Sequence, residues 1–479
     1  MSARGLFDSV SPLDFRYYGQ DVALQELLDP YVTERARVAS EAMVEAAATR
    51  VLARRGICSQ EVADEVAAAV QSIIPEEVAE EEARIQHNIR ALVNCIQRRV
   101  SEAARPYVHF TLTSFDVVDS ATAWRLKQAA LQVVVPQMTE LLRVLIDLAR
   151  RERDTLQMGR THGQHAVPIT FGFAIAEYVS RLGTRIECLK RAADDMRGKI
   201  SGAVGAYNAS GLFFDDPVSF ETEVLAELDL KPSLHSTQIV EAEYVTDYVH
   251  ALVSAFGVLA NLGDDMRNLQ RTEIGEVGEA FDAQQVGSST MPHKRNPWNF
   301  ENVKSMWKAF LPRMTTVYMD QISEHQRDLT NSASARFIPE IIVGLVSTAR
   351  RLHRVMSRLV TDKERMVRNF AMTQGMIAAE PAYILLAAHG HPDAHEAVRK
   401  LTLQAQQTAQ PLGEVLFADE ELQPYLAQFT AEQLAVLRDP ARYTGIAARK
   451  TEMVCEYWEQ RLVAGDQSGE EDSHGTHGT

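Results

Sequence analysis

Eight apolar residues, Val245, Tyr248, Leu252, Phe256, Leu259, Leu262, Met266 and Leu269, recur at alternating steps of three and four. Such spacing puts them on one face of a single helix roughly seven turns long, patterned as a coiled-coil seam is. Two further stripes repeat the period: Met138, Leu141, Leu142, Leu145 and Leu148, then Ile175, Tyr178, Val179, Leu182, Ile186 and Leu189. Helices of that length cannot hide their apolar faces within one thin layer, so neighbours from the same or other chains must cover them. The expectation is an all-α fold with long central helices, assembled as a homo-oligomer. Pro136 falls within such a stretch and marks a kink or a start, because its ring removes a backbone donor.

Helix-poor punctuation falls at 104–116, 157–170, 201–218, 229–238 and 283–298, and the polar clusters sit in these breaks. The pattern divides the 479 residues into an N-terminal helical domain at 1–110, a central long-helix bundle at 111–362 and a smaller helical domain at 363–462. The remainder, 463–479, has little to bury and is expected to be a disordered tail; His474 and His477 within it are read as solvated. A formal charge of −16, from 49 basic and 65 acidic side chains, disfavours nucleic acid and anionic membrane as partners. An anionic ligand must then be caught by local arginines. The scattered Cys58, Cys95, Cys188 and Cys455 form no CxxC pair, which argues against disulfides and structural zinc and suits a reducing cytoplasm. Neither an apolar leader at the N-terminus nor an unbroken apolar run of about 18 residues is present, so no membrane association is expected.

Three clusters carry chemistry. The stretch GSSTMPHKRNP at 287–297 combines Ser288, Ser289, Lys294 and Asn296 with Gly287 and two prolines, and resembles a mobile catalytic loop for an anionic substrate that must lose a proton; the plain alternative is a polar surface turn. In GRTHGQHAVP at 159–168, glycines and a proline hold an irregular backbone around His162 and His165, and imidazole is the side chain suited to proton transfer near neutrality. A metal reading of that spacing lacks a nearby third ligand, so no metal is expected. In HFTLTSFDVVDSA, Thr113, Ser114 and Asp116 stand at a helix start, where they cap free donors and where a carboxylate or phosphate is also favoured. Further on, Arg327, Ser332 and Arg336 of RDLTNSASAR have the chemistry to converge on one phosphate. HGHPDAH at 389–395 reads as a plain loop, and PEEVAEEEAR at 75–84 as a solvated helix face.

Taken together, HFTLTSFDVVDSA, MGRTHGQHAVPITFG and GSSTMPHKRNPWNFEN resemble the three signature regions of the fumarase and aspartase superfamily, and within it the branch that acts on succinylated purine nucleotides. The likeness continues through SPLDFRYYG, STQIVEAEY, RNLQRTEIGEV and RDLTNSASAR and covers most of the chain to about residue 460. The resemblance implies three mostly helical domains in a homotetrameric bundle whose active sites are each shared between chains. It also implies a cofactor-free β-elimination of fumarate, giving AMP from one substrate and the aminoimidazole carboxamide ribotide from the other. By motif position Ser288 is similar to the general base and His162 to the acid that protonates the leaving nitrogen. Lys294 and Asn296 would stabilise charge on the substrate carboxylate, and Glu301 resembles a position that interacts with the catalytic histidine. Thr113, Ser114, Gln238 and Asn302 are similar to positions that hold the succinyl group or its neighbours, with Ser289 on the same loop as Ser288. Arg16, Tyr17, Arg327, Ser332 and Arg336 match the positions used for the nucleotide phosphate.

The chain departs from that pattern twice. His87-Asn88 stands where a His-Asp pair is common; His87 is kept as a catalytic residue and Asn88 as a binding one, with less charge to polarise the histidine. The segment after Gln238, IVEAEYVTDY, lacks the basic residue often found there. Two other readings remain: a sister lyase or cycloisomerase acting on a non-nucleotide dicarboxylate, and a catalytically silent protein on the same scaffold.

Overall fold

A computed structural model describes residues 6–282, 284–373 and 375–473, with only the backbone course given for 464–473. The elements that position the site are α1 (Glu34–Arg54), α2 (Asn88–Gln97), α3 (Ser114–Ala129), α4 (Val135–Arg151), β1 (Leu156–Thr161), β2 (Gln164–Thr170), α5 (Phe171–Asp194), α6 (Glu243–Leu269), α7 (Trp298–Phe310), α8 (Ile338–Met356), α9 (Lys363–Ala371) and α10 (Ala447–Ser473). The three sequence stripes are thus parts of α4, α5 and α6. Along α6, Tyr248, Leu252, Phe256, Leu259, Leu262 and Met266 are buried, and only the stripe's end residues Val245 and Leu269 keep some surface.

The chain divides into two compact units, neither of them one consecutive segment. One holds residues 1–139, 184–260 and 303–351 and the other 140–183, 261–302 and 352–479. In the first unit α1 is capped by Thr33, whose hydroxyl accepts the Ala36 N–H at 3.1 Å. It buries Ala42, Val44, Ala46, Ala47, Ala48 and Val51 on nearly every side, as a helix enclosed by neighbours must. Among those neighbours is α3. In the second unit β1 pairs with β2 and α9 packs on β1. A separate apolar cluster built on Ala382, Leu386, Val398, Leu401, Leu416 and Phe429 gives residues 378–437 a core of their own.

Pro136 sits at the second residue of α4, just after a π-helical turn at Ala130–Val134 in which the Val135 N–H reaches back to the Ala130 carbonyl. The wider turn absorbs the donor that proline lacks. Ser114–Arg151 and Glu243–Leu269 are long and apolar enough to cross a bilayer, yet most of the apolar stretch in each lies inside the protein, the ordinary situation of a core helix. Two expectations need correction. The segment around His162 is a β-hairpin rather than an irregular loop. Helix α10 also runs past residue 463, where composition suggested disorder, because extending a helix already nucleated costs little; His474 and His477 lie outside the described residues.

Candidate active site

In the second unit, β1 and β2 pair from Leu156 opposite Thr170 to Thr161 opposite Gln164, leaving His162 and Gly163 as a two-residue turn. Both have left-handed backbone, φ +55° and +74°, which matches the right-handed twist of a hairpin. His162 is therefore lifted, exposed, at the tip of a short rigid ribbon. The register slips between Met158 and Arg160, at Gly159, where a Cβ would come within 2.5 Å of the Val167 carbonyl. His165, on β2, is half-buried, and burial together with the Arg160 guanidinium lowers its pKa and keeps it neutral.

The 287–297 segment is folded back on itself. The Asn296 side chain donates to the Gly287 carbonyl at 2.9 Å, and a Cβ on Gly287 would meet the Lys294 carbonyl at 2.3 Å. Only glycine permits that approach. Within this loop the Ser288 Oγ accepts the backbone N–H of Met291 at 3.1 Å and of Thr290 at 3.4 Å. Donors directed at a hydroxyl oxygen stabilise negative charge on it. Ser289 and Lys294 are exposed on the same loop, and Arg295 lies over the Phe281 ring at 5.5 Å. Glu301 and Asn302 follow in the first turns of α7, Glu301 exposed and Asn302 half-buried. The start of α7 is held by a residue that sequence reasoning missed: buried Glu279 accepts the N–H groups of Asn299 and Phe300 at 2.9 and 3.1 Å.

The first unit carries the other group. Thr113 is the N-cap of α3, and its N–H donates to Asp116 Oδ2 at 2.8 Å. Asp116 does more than cap. It is fully buried, is paired with the equally buried Lys199, and accepts the N–H groups of Ser201 and Gly202 at 3.1 and 3.2 Å, tying the helix start that bears Thr113 and Ser114 to a distant loop. One turn on, Asp119 accepts the Val240 N–H at 2.8 Å; burial pushes its carboxyl up to about 7, against the pull of Lys199 and Arg327. The same loop carries Gln238, whose N–H donates to the Gln326 carbonyl at 3.2 Å. Thr113, Ser114, Gln238 and Arg327 are thereby gathered by one network.

Arg327 has φ +113°, and its Nη1 donates to the Asp320 carbonyl at 3.3 Å, while its Nε and Nη2 are buried without a hydrogen-bond partner. The Asp320 carboxylate accepts the Ser334 hydroxyl at 2.8 Å, so the segment with Ser332 and Arg336 is tied to the same residue whose backbone carbonyl takes Arg327; Ser332 and Arg336 themselves are exposed. Arg16 and Tyr17 lie on a π-helical turn at Leu13–Tyr17. His87 is the N-cap of α2, and its Nδ1 accepts the Arg90 N–H at 3.2 Å, which leaves Nε2 to carry the proton of the neutral ring. Asn88 follows as the first residue of α2. The sequence-derived residues thus fall into two sets, ten with the first unit and seven with the second. No hydrogen bond joins His162 to Ser288 among the described residues.

A family model described as a lyase matches residues 5–309, well over half of the chain, and agrees with the helical fold and the three motif regions. Fold and motifs together define a lyase of the fumarase and aspartase superfamily. A second model, described as the adenylosuccinate lyase C-terminal region, matches residues 323–443. The adenylosuccinate lyase of Pyrococcus abyssi is 35% identical over 466 residues, covering 94% of this chain and 98% of the relative. That of Archaeoglobus fulgidus is 33% identical over 449 residues, covering 93% and 98%. The chain belongs to the adenylosuccinate lyase family. Among solved structures it is similar to a 3-carboxy-cis,cis-muconate lactonizing enzyme from Pseudomonas putida, with a TM-score of 0.79, 25% identity and 94% and 99% of the two chains covered. It is also similar to a fumarate lyase from Mesorhizobium, with a TM-score of 0.78, 25% identity and 91% and 98% covered.

Proposed function

We propose that this lyase cleaves adenylosuccinate to AMP and fumarate, and the succinylated carboxamide ribotide of purine synthesis to its free amine, by one β-elimination. Ser288 Oγ takes the proton on the carbon beside the substrate carboxylate, that electron pair becomes the new carbon–carbon double bond, the carbon–nitrogen bond breaks, and His162 protonates the departing nitrogen. An ordinary serine is too weak a base near neutrality; the two backbone N–H groups aimed at Ser288 Oγ favour its ionised form. Lys294 adds cationic charge on the same loop, and with Asn296 stabilises charge that spreads onto the carboxylate. Thr113, Ser114, Gln238, Ser289 and Asn302 hold the succinyl end, with Glu301 and His87 serving the histidine and Asn88 the substrate. Arg16, Tyr17, Arg327, Ser332 and Arg336 hold the phosphate.

The observation that carries the nucleotide assignment is Arg327, a half-buried guanidinium whose Nε and Nη2 are buried without a hydrogen-bond partner. A buried charged donor is costly unless an anion completes it, and a nucleotide supplies its phosphate for that in addition to the carboxylates held at the succinyl end. The enzyme is further proposed to work as a cytoplasmic homotetramer with shared active sites, which supplies cover for apolar side chains such as Met319, Ile322 and Phe337 that the single chain exposes. Fumarate release measured with adenylosuccinate beside argininosuccinate and malate tests the substrate. Turnover of adenylosuccinate alone is expected, falling by about 10²- to 10⁴-fold in Ser288→Ala and in His162→Ala. Equal turnover of a non-nucleotide substrate overturns the reading.

A further inference from the structure

His162 owes its position to the backbone. No hydrogen bond to its ring is present among the described residues, so the hairpin turn and the stem beneath it decide where the imidazole points. The stem is gripped from inside. Two residues before His162, Arg160 forks onto the carboxylate of Glu276, which is fully buried. Gln157, also on β1, donates to the same carboxylate at 2.9 Å, and Asn369 of α9 donates to it at 2.8 Å while reaching the Ile274 carbonyl at 2.8 Å. Both Glu276 oxygens are thus saturated by four donors, two from the hairpin strand's guanidinium, one from its amide and one from a separate helix.

The backbone of Glu276 is fixed as well. Its N–H donates to the Leu269 carbonyl at 3.0 Å, and its carbonyl accepts the Asp362 N–H at 2.9 Å. The register slip at Gly159 lies between buried Met158 and Arg160, and such irregularities re-aim side chains. A buried ion pair of this kind is weak evidence for stability, because well-packed apolar residues often do as well. What apolar residues cannot reproduce is a bidentate fork that fixes one strand register and one ribbon direction.

From this geometry we infer that Glu276, acting through Arg160, is a positioning residue for His162: the buried carboxylate sets the hairpin's direction and hence where the imidazole meets the leaving nitrogen. The inference rests on His162 being the proton donor. Misplacing a reacting group by about 1 Å can cost roughly 10²-fold in rate. Substrate binding depends on other residues, so the loss should appear in kcat with KM little changed.

The experiment uses the full chain and steady-state fumarate release from adenylosuccinate, on Glu276→Gln, Arg160→Lys and the apolar double variant Arg160→Met/Glu276→Leu, with His162→Ala alongside. The double variant removes both charges together but takes the acceptor from the buried Gln157 amide, so it is expected to stay folded with a lowered melting temperature. In all three, kcat should fall by about 10- to 100-fold with KM within about threefold of the parent. The kcat pH profile should also shift its histidine limb, which a loss of folded protein alone would not do. A folded double variant with parental kcat and pH profile overturns the inference. So does a loss of amplitude that follows only the fraction folded. Full activity in His162→Ala would instead overturn the reading of His162, and the two failures are told apart by that arm.

Discussion

Replacing Arg327 with alanine separates binding from folding, because the two should move in opposite directions. In the free protein Arg327 makes one side-chain hydrogen bond, Nη1 to the Asp320 carbonyl at 3.3 Å, worth about 0.5–1.5 kcal/mol. Against it stand Nε and Nη2, buried without partners, each at a cost of about 1–3 kcal/mol. Truncation removes both penalties and the one bond, so the folded state should be unchanged or more stable by about 1 kcal/mol or more. With substrate the balance reverses: a buried charge-assisted contact to phosphate is lost, about 2–5 kcal/mol, or roughly 30- to 5,000-fold in kcat/KM. The φ of +113° adds a second lever, since a side chain is held there at a cost of about 1–3 kcal/mol. Arg327→Gly should therefore exceed Arg327→Ala in stability by about 1 kcal/mol while being equally inactive. Urea midpoints without substrate, paired with kcat/KM for adenylosuccinate, read both. A variant destabilised by more than about 2 kcal/mol that retains parental kcat/KM refutes the reasoning, since unpartnered donors should be a liability to the fold and an asset to binding.

Three further outcomes follow from the same structure. Lys199→Met strands the fully buried Asp116 and should cost about 3–5 kcal/mol in urea unfolding, while adding Asp116→Asn, which removes the charge and keeps an acceptor for the backbone donors, should restore part of it; equal cost in the single and double variants would refute the pairing. Burial would lower the pKa of His109, but Glu45 outweighs it and holds the ring above its usual range. A raised folded pKa means that the contribution is full below about pH 6.5 and is lost as pH rises through the folded value, so parental stability should decline on that alkaline side while His109→Gln shows a flatter profile. Gly163→Ala and Gly56→Ala meet no atom within 4 Å and carry φ of +74° and +72°, so both should destabilise alike; only the former should lower kcat, because only it deforms the turn bearing His162.

The helical frame was legible because its signal is local: the stripes in α4, α5 and α6 repeat every three or four residues and need no knowledge of partners. Ser288 and His162 were legible as members of ordered motifs, whereas the hairpin that lifts His162 was not. Its two-residue turn is His-Gly rather than the Asn-Gly or Asp-Gly that announces such a ribbon, and Arg160 points to a carboxylate instead of joining a polar face. Glu276, Asp116 and Lys199 escaped for a different reason. Arg160 and Glu276 are 116 positions apart, and Asp116 and Lys199 are 83 apart, so no window of sequence shows that these charges are buried in pairs. A buried Lys or Glu looks like any surface residue until its partner is found.

Backbone strain falls on several of the same segments. Nine described residues other than glycine have positive φ, among them Gln86, Thr111, His162, His325 and Arg327. Gln86 immediately precedes His87, Thr111 lies two residues before Thr113, and the remaining three are or flank residues picked out from the motifs. Thr111 is β-branched, the side-chain type least tolerant of left-handed backbone, and its buried Oγ1 also lacks a partner. Strain of this kind persists only where the surroundings over-determine it, which is how folds hold functional groups in place. Tyr207, Asp229 and Ala409 show that turns elsewhere also bear such residues, so positive φ alone singles out no site. Strained residues nonetheless fall on the His87, Thr113, His162 and Arg327 segments, which are widely separated in sequence.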